Sequence, residues 1–501
     1  MTKQIQRIVI VGGGSAGFLI ALGMRRSLPE VKTTVLHSPD IPVIGVGEST
    51  TNAVPIYLHQ QLGIDRRQFY DAVRPGWKLG IKFIWGDPRD SHFHYPFERG
   101  LSVMPPGCRR LASFFQMDGV STHCNFAVMM DENRSPCIRT PNGEILVEQI
   151  GGYHIENKSF IAFIHRKSIE AGAEVLDGTV AQVNRGEDGD VVSLGLKDGR
   201  IIEGDLFIDC TGFASVLLGK TMGGKYRSFS DSLFCDTAVV GSWKRTAPVY
   251  SYTTCETMDH GWAWRIEFPE HVTRGYVFSS QFCTFEQARE ELMRKNPEIP
   301  DTFTVKFKSG RYEDFWIGNV AAVGNASGFV EPLEATALHV IIEQSRIMAR
   351  VIAEGQRSYT PAARAAANRR VGNLWDDIRN FLAIHYRFNR RLDTPFWRHC
   401  RENTNLGGAE PLIEMYRQSG PAALCEDHIP RESIFGYEGF LTLIQGQRVA
   451  TDFQPQVDES EWKIWRSYQE RFRMYARQAL PMPEAIKLIF EQNYQWRQRG
   501  W

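Results

Sequence analysis

Gly12, Gly14 and Gly17 are spaced as Gly-x-Gly-x-x-Gly, directly after the β-branched run that starts at Arg7 and ends at Val11, and directly before an apolar stretch from Ala16 to Met24. In a strand–turn–helix setting each glycine has its own duty: the first permits the tight turn, the second lets backbone approach a pyrophosphate, and the third lets helix and strand pack closely. The helix start adds free N–H groups and the positive end of its dipole, so Ser15 and Ala16 belong to the same phosphate cradle. The bland alternative is a tight βα turn without a ligand; the setting favours a dinucleotide. The acidic residue expected after the second strand, to hold ribose hydroxyls, is missing, and His37 or Ser38 stands there.

Other residues capable of chemistry read blandly from their local sequence. Lys78 precedes a strand, where a lysine is usually a solvated charge. Glu334 falls early in a helix, where a carboxylate complements the dipole. Trp262 and Trp264 alternate and so share one face of a strand, which core packing would explain.

The elements that must position these residues form an α/β pattern. A β-turn-α-β unit opens the chain, with its second strand at Val31–Leu36. A helix is expected over Phe160–Ala173, then several short strands over Val175–Leu206 with turns at GEDGD and KDGR, closing on Phe207–Asp209. A β-rich stretch from Asp231 to Phe307 precedes a buried strand over Ile317–Val323, which runs into GNASG and a long helix ending near Glu354. From Thr360 the pattern is mainly helical, as in NLWDDIRNFLAIHY and EWKIWRSYQERFRMYARQA. The expected division is 1–355 for the nucleotide-binding and sheet module, with 356–501 as a helical subdomain packed on it.

Bulk properties exclude several classes. The 501 residues suit one large or two fused domains. Hydrophobic residues at 43% against 23% charged support a large core. Lys+Arg and Asp+Glu are both 58, which argues against nucleic acid as the main partner. The N-terminus shows no signal-peptide core, and no run approaches the ~20 apolar residues of a membrane helix, so a cytoplasmic protein without a membrane partner is expected. Nine cysteines, an odd number with no CxxC pair, suggest neither disulfides nor zinc, and no metal is expected. The 12 tryptophans fit either a bulky core or a ring-lined site.

Two later segments favour FAD over NAD. Asp209-Cys210-Thr211-Gly212 and Gly324-Asn325-Ala326 resemble the distal FAD motifs of aromatic-hydroxylase-type flavoproteins. That resemblance implies an FAD-binding aromatic-hydroxylase-like α/β fold with a mixed β-sheet substrate layer and a C-terminal helical subdomain.

A closer resemblance is to the flavin-dependent tryptophan halogenase family. Gly45-Val46-Gly47-Glu48-Ser49-Thr50 is similar to its flavin-contacting loop. Gly76-Trp77-Lys78 resembles the segment with the family's catalytic lysine, and Phe329-Val330-Glu331-Pro332-Leu333-Glu334 the one with its catalytic glutamate. Trp262-Ala263-Trp264-Arg265-Ile266 resembles the signature WxWxIP and is followed by the family-like Gly275–Ser280. His385-Tyr386 and the run Asp393 to Trp397 also look like family sequence, and the resemblance spans most of residues 5–400.

The resemblance implies a reaction and its parts. FADH2 from a separate NAD(P)H-dependent flavin reductase, O2 and a halide ion yield hypohalous acid, which Lys78 relays to an electron-rich aromatic such as an indole. The lysine would donate a hydrogen bond to the oxidant or be halogenated itself; both remain open. Glu334 would orient the lysine or take the ring proton, a general-base contribution of ~10²–10⁴-fold. Gly45, Val46, Gly47, Glu48, Gly324, Asn325 and Leu333 would join the glycine loop at the cofactor. Backbone N–H groups of Thr336 and Ala337 would hold the halide. Trp262 and Trp264 would wall the route to the substrate, which Tyr95, Pro96 and Phe97 flank. A homodimer is compatible with all this, and a carrier protein docked on the C-terminal helices is less favoured.

Departures from the family pattern carry information. Glu267 replaces the signature's proline, and Ala335-Thr336-Ala337 replaces Ser-Thr-Gly, putting an alanine where glycine would allow positive φ. An altered halide preference, bromide over chloride, is the expectation. Tyr95 stands where tryptophan-specific members carry a stacking histidine, so free tryptophan is not the default substrate. A single-component FAD/NADPH aromatic hydroxylase is the rival reading, and a non-catalytic FAD-binding protein a third.

Overall fold

The computed structural model describes residues 4–41, 47–98, 111–148, 151–423, 428–429, 433–491 and 496–498. Strand Arg7–Val11 is third in a six-stranded sheet ordered Glu174–Asp177, Lys32–His37, Arg7–Val11, Leu206–Asp209, Val320–Ala322 and Trp316–Ile317. The first five run parallel and the last antiparallel. A central parallel strand is covered on both faces, which is why Ile8 to Val11 form an unbroken buried run. Helix Ser15–Ser27 follows the glycine loop and is packed by helices Asn157–Glu170 and Ala337–Glu354. The Ser168 hydroxyl donates to the Phe18 carbonyl at 3.1 Å, fixing one of these contacts.

A seven-stranded sheet forms the second layer, ordered Thr302–Lys306, Thr237–Lys244, His271–Phe278, Gly261–Glu267, Tyr252–Met258, Gly80–Ile84 and Phe93–Pro96. All its pairings are antiparallel except that of Tyr252–Met258 with Gly80–Ile84. Trp262 and Trp264 thus lie mid-sheet and Tyr95 on the edge strand. The β-rich stretch also holds one helix, Phe285–Lys295, started by a reciprocal cap between Thr284 and Gln287. A small sheet carries Lys78: strand Gly152–Ile155 pairs with Gly76–Lys78 on one side and Glu48–Ser49 on the other.

The long helix Pro361–Phe388 has 28 residues and spans about 42 Å. Thr360 caps it by accepting from the Ala363 N–H, and Pro361 occupies the first turn, where its missing N–H costs nothing. Its buried face includes Trp375, Phe381, His385 and Tyr386. The segment beyond residue 356 is mainly helical, as expected, but also supplies two short strands. Ala479–Pro481 pairs with Arg134–Arg139, and Trp496–Gln498 with Ile145–Val147. One buried cluster runs from Ile5 to Ile489 and so joins early and late parts of the chain. Among the described residues no helix is long and apolar enough to cross a membrane.

Candidate active site

The glycine loop has the geometry its spacing predicts. Gly12 has φ +120°, and a Cβ there would lie 2.3 Å from the Cys210 carbonyl oxygen on the neighbouring strand. A Cβ on Gly17 would lie 1.8 Å from the Gly12 carbonyl oxygen, so only glycine lets the helix sit this close. Gly14 faces open space and caps the helix without any side-chain hydrogen bond, leaving the first N–H groups for a ligand. Ser15 and Ala16 are half-buried in that first turn. The donor set and the open approach at Gly14 fit a dinucleotide pyrophosphate. His37 ends its strand with the ring packed over the loop, its Nδ1 2.0 Å from where a Gly13 Cβ would be.

The distal segments converge on the same loop. Gly324 lies against Ala16, Asn325 is exposed and Leu333 is buried. Asp209 serves the fold: its carboxylate accepts from the Thr211 N–H and hydroxyl and from the Leu217 and Leu218 N–H groups, at 2.6–3.0 Å. Gly47 and Glu48 are partly exposed, and desolvation pushes Glu48 up to about 7. Gly45 and Val46 lie outside the described residues.

Lys78 is fully buried, against the bland reading of a solvated charge. Among the described residues its Nζ has no hydrogen-bond partner, and it stands 4.5 Å from the Phe97 ring centroid. Burial brings its pKa down to about 7, while the Glu334 charge pulls the other way. Glu334 ends the tight turn Pro332–Glu334 rather than sitting in the helix, and it is 1% exposed. Its Oε1 lies 2.9 Å from His385 Nε2, and among the described residues its Oε2 has no partner. Among the described residues the ion-pair partner of Glu334 is therefore His385, with no direct bond to Lys78. Burial raises the Glu334 pKa, opposed by His385 and then Lys78.

His385 Nδ1 lies 3.2 Å from the Phe381 carbonyl oxygen, an acceptor for a hydrogen on Nδ1, and Nε2 faces Glu334.

The helix after this turn corrects one expectation. Ala337 starts helix Ala337–Glu354 and is not at positive φ; the left-handed residue is Ala335, at φ +56°, where the chain reverses out of the turn. Thr336 is buried before the helix and makes no side-chain cap.

A cavity of about 80 Å³ is lined by Thr51, Tyr95, Pro96, Phe97, Glu334 and Phe435, among others. Tyr95, Pro96 and Phe97 thus meet Glu334 at one space. Trp262 and Trp264 do not line it. They share a face as expected, with centroids 6.1 Å apart, but pack in the core. Trp262 Nε1 donates to Glu331 Oε2 at 2.7 Å, and the Tyr386 hydroxyl donates to the same oxygen. Burial pushes Glu331 up to about 7. Trp264 lies over Gly275, where a Cβ would come 2.0 Å from its ring. Glu267, standing for the signature proline, is buried and accepts from Arg265 Nε at 2.6 Å.

Sequence reasoning gave His385, Glu331 and Tyr386 no role. The available signal was that FVEPLE offers two carboxylates three residues apart, while His385-Tyr386 offers two donors side by side on one helix.

Comparison with known proteins adds an independent line. Residues 7–461 match the profile of the family described as tryptophan halogenase. The chain is 30% identical over 446 residues to tryptophan 7-halogenase RebH of Lentzea aerocolonigenes, covering 83% of each. It is 30% identical over 461 residues to tryptophan 6-halogenase ThaL of Streptomyces albogriseolus, covering 85% of this chain and 84% of that one. Among solved structures, MibH, a lathipeptide tryptophan 5-halogenase, superposes with a TM-score of 0.88 at 36% identity, over 97% of this chain and 93% of that one. Xcc4156, a flavin-dependent halogenase from Xanthomonas campestris, gives 0.87 at 25% identity, over 99% and 100%.

Proposed function

The chain belongs to the tryptophan halogenase family and is a flavin-dependent halogenase of the two-component type, and on that premise we propose that Lys78 presents the halogenating oxidant to the substrate while Glu334, paired with His385, manages the protons. The observation that carries this reading is the buried, unpartnered Lys78 amine over Phe97, a residue that lines one cavity together with Glu334. When bound and reduced by a separate NAD(P)H-dependent reductase, FAD supplies, with O2 and halide, the hypohalous acid.

Gly12, Gly14, Ser15, Ala16 and Gly17 hold the pyrophosphate in this reading, with Gly47, Glu48, Gly324, Asn325 and Leu333 around the rest of the cofactor. Thr336 and Ala337 offer backbone N–H groups to the halide. Trp262 and Trp264, which do not reach the cavity, act as rigid core behind it. With its pKa near 7, Lys78 has both its ammonium and its amine forms populated at neutral pH. The ammonium can polarise the halogen, and the amine can accept it. Glu334 takes the proton released as the ring regains aromaticity, and Pro96, Phe97 and Tyr95 orient that ring.

The substrate class is an electron-rich aromatic, an indole first. Tyr95 in place of a stacking histidine argues against free tryptophan as the sole substrate, and the solved structure at 36% identity is described as acting on a lathipeptide tryptophan. The test is a panel of free indoles, tryptophan, phenols, pyrroles and a tryptophan-containing peptide, with a generic flavin reductase, NADH, FAD and bromide. Halogenated product from an indole-bearing member is expected from the wild type and none from Lys78→Ala. Product from Lys78→Ala at the wild-type rate would falsify the lysine assignment. Competition between bromide and chloride tests the halide reading: bromination is expected to lead, and equal rates would overturn it.

A further inference from the structure

The strand that presents Tyr95 to the cavity has a second face. His92 and His94 are two residues apart, so both turn away from Tyr95. Their ring centroids are 4.9 Å apart. Helix Asn125–Asp131 packs against this strand, and its last residue, Asp131, completes the group. One ligand atom from each of His92, His94 and Asp131 lies within 4.8 Å of the other two.

His94 is the telling member. It is 1% exposed, and among the described residues neither ring nitrogen makes a hydrogen bond of ordinary geometry. The Ala127 backbone faces one of the two nitrogens. Buried polar atoms are costly when left unmade, so the other nitrogen points to a missing partner.

We propose that His92, His94 and Asp131 bind a divalent transition-metal ion of the zinc type, with the remaining position left to water. Two imidazoles and a carboxylate suit zinc, cobalt or nickel better than the hard, oxygen-seeking magnesium or calcium. The Ser91 hydroxyl lies 2.9 Å from His92 Nδ1, which leaves Nε2 for the metal and fixes the ring. Donor atoms of a tetrahedral zinc site stand about 3.4 Å apart, given Zn–N of about 2.1 Å, so the group must close slightly. Asp131, exposed at a helix end, is free to do so.

The surrounding charges set the strength of the site. Lys82 is directly opposite His94 in the strand register, half-buried over the Tyr252 ring. Its ammonium opposes a bound cation, and the Asp131 carboxylate offsets it. The consequence is mechanical. Phe93–Pro96 is the edge strand of its sheet, and a metal would tie it to helix Asn125–Asp131 directly behind the cavity wall. This inference does not depend on the assignment of Lys78 or Glu334.

The test uses untagged full-length protein, stripped with EDTA and titrated with Zn²⁺ by calorimetry and with Co²⁺ by visible absorption. A single ion per chain is expected, with cobalt d–d bands and no thiolate-to-cobalt charge transfer, which separates this site from the cysteines. His94→Ala should abolish binding. Should that variant fail to fold, His92→Ala and Asp131→Asn, at more accessible positions, should each weaken binding by roughly ten-fold or more. Absence of Zn²⁺ binding by the wild type, or undiminished binding by the His92→Ala/Asp131→Asn double variant, would overturn the proposal.

Discussion

His385 Nε2 lies 2.9 Å from Glu334 Oε1, and the other carboxylate oxygen has no partner among the described residues. The two residues are 51 positions apart in the chain, so the contact exists only because the long helix Pro361–Phe388 crosses the turn Pro332–Glu334. The His385 hydrogen bond and charge both hold the Glu334 pKa below where burial alone would put it. Removing the imidazole therefore raises the Glu334 pKa further. With Glu334 acting as a base, the acid limb of the pH–rate profile moves to higher pH in His385→Gln, while the plateau at high pH is largely kept. Glu334→Gln loses roughly 10²–10⁴-fold on the high-pH plateau and lacks the acid limb that Glu334 causes. Bromination rates measured from about pH 5 to pH 9 decide this, and an unmoved limb in His385→Gln rules out the coupling.

Burying Lys78 weakens the fold in a pH-dependent way. Its amine titrates near 10.5 when unfolded and near 7 when folded. Between those values the unfolded chain holds a proton that the folded chain lacks, so the burden on stability grows as pH falls from about 10 to about 7 and stays constant below. Lys78→Met is expected to raise stability by a few kcal/mol at pH 7, with a ceiling of about 5 kcal/mol, and by less than about 1 kcal/mol near pH 10. Denaturant melts at the two pH values measure the difference. An equal gain at both would show that packing, not protonation, is responsible.

The glycine loop separates folding from ligand binding. Gly17→Ala places a methyl group 1.8 Å from a carbonyl oxygen and should prevent folding or sharply lower the Tm. Gly14→Ala meets nothing within 4 Å and should leave the unfolding free energy of the apoprotein within about 1 kcal/mol of wild type. Flavin affinity should nonetheless fall in Gly14→Ala, because the methyl enters the space reserved for a phosphate. Unchanged FAD binding by equilibrium dialysis would move the pyrophosphate elsewhere.

The paired tryptophans should differ although they share a face. Trp262→Phe removes a donor to the buried Glu331 carboxylate and is expected to cost about 1–3 kcal/mol. Trp264 Nε1 has no partner among the described residues, so Trp264→Phe loses packing volume but no hydrogen bond and should cost less than Trp262→Phe. Thermal melts of the two variants give the comparison, and the reverse order would contradict the network drawn around Glu331.

What was legible in the chain follows from how local each signal is. Gly12, Gly14 and Gly17 each answer a constraint within a few residues, and all three occupy the geometry their spacing implies. The strand Arg7–Val11 was plain for a similar reason, since burial on both faces demands a continuous apolar run. Lys78 and Glu334 carried no local mark of function and stood out only through resemblance. His385 was hidden because its value comes from a crossing between a helix and a distant turn, and a histidine on a helix face has many bland readings. The positive φ that the family's glycine suggests at Ala337 occurs instead at Ala335, because a register of two residues in a tight turn cannot be fixed from types alone. The cavity's opposite wall was not foreseen: Phe435 and Thr442 come from a part of the chain where the resemblance had faded.

The hairpin Arg134–Arg139 and Ile145–Val147 is completed on its two sides by Ala479–Pro481 and Trp496–Gln498. On the ribosome this means a long wait. At ordinary elongation rates of about 5–20 residues per second, the hairpin leaves the tunnel tens of seconds before the strands that flank it are even made. Through that interval both its edges offer unpaired backbone to any neighbouring chain. Synthesis at lower temperature or with co-expressed chaperones should therefore raise the yield of soluble protein more than any substitution at the site.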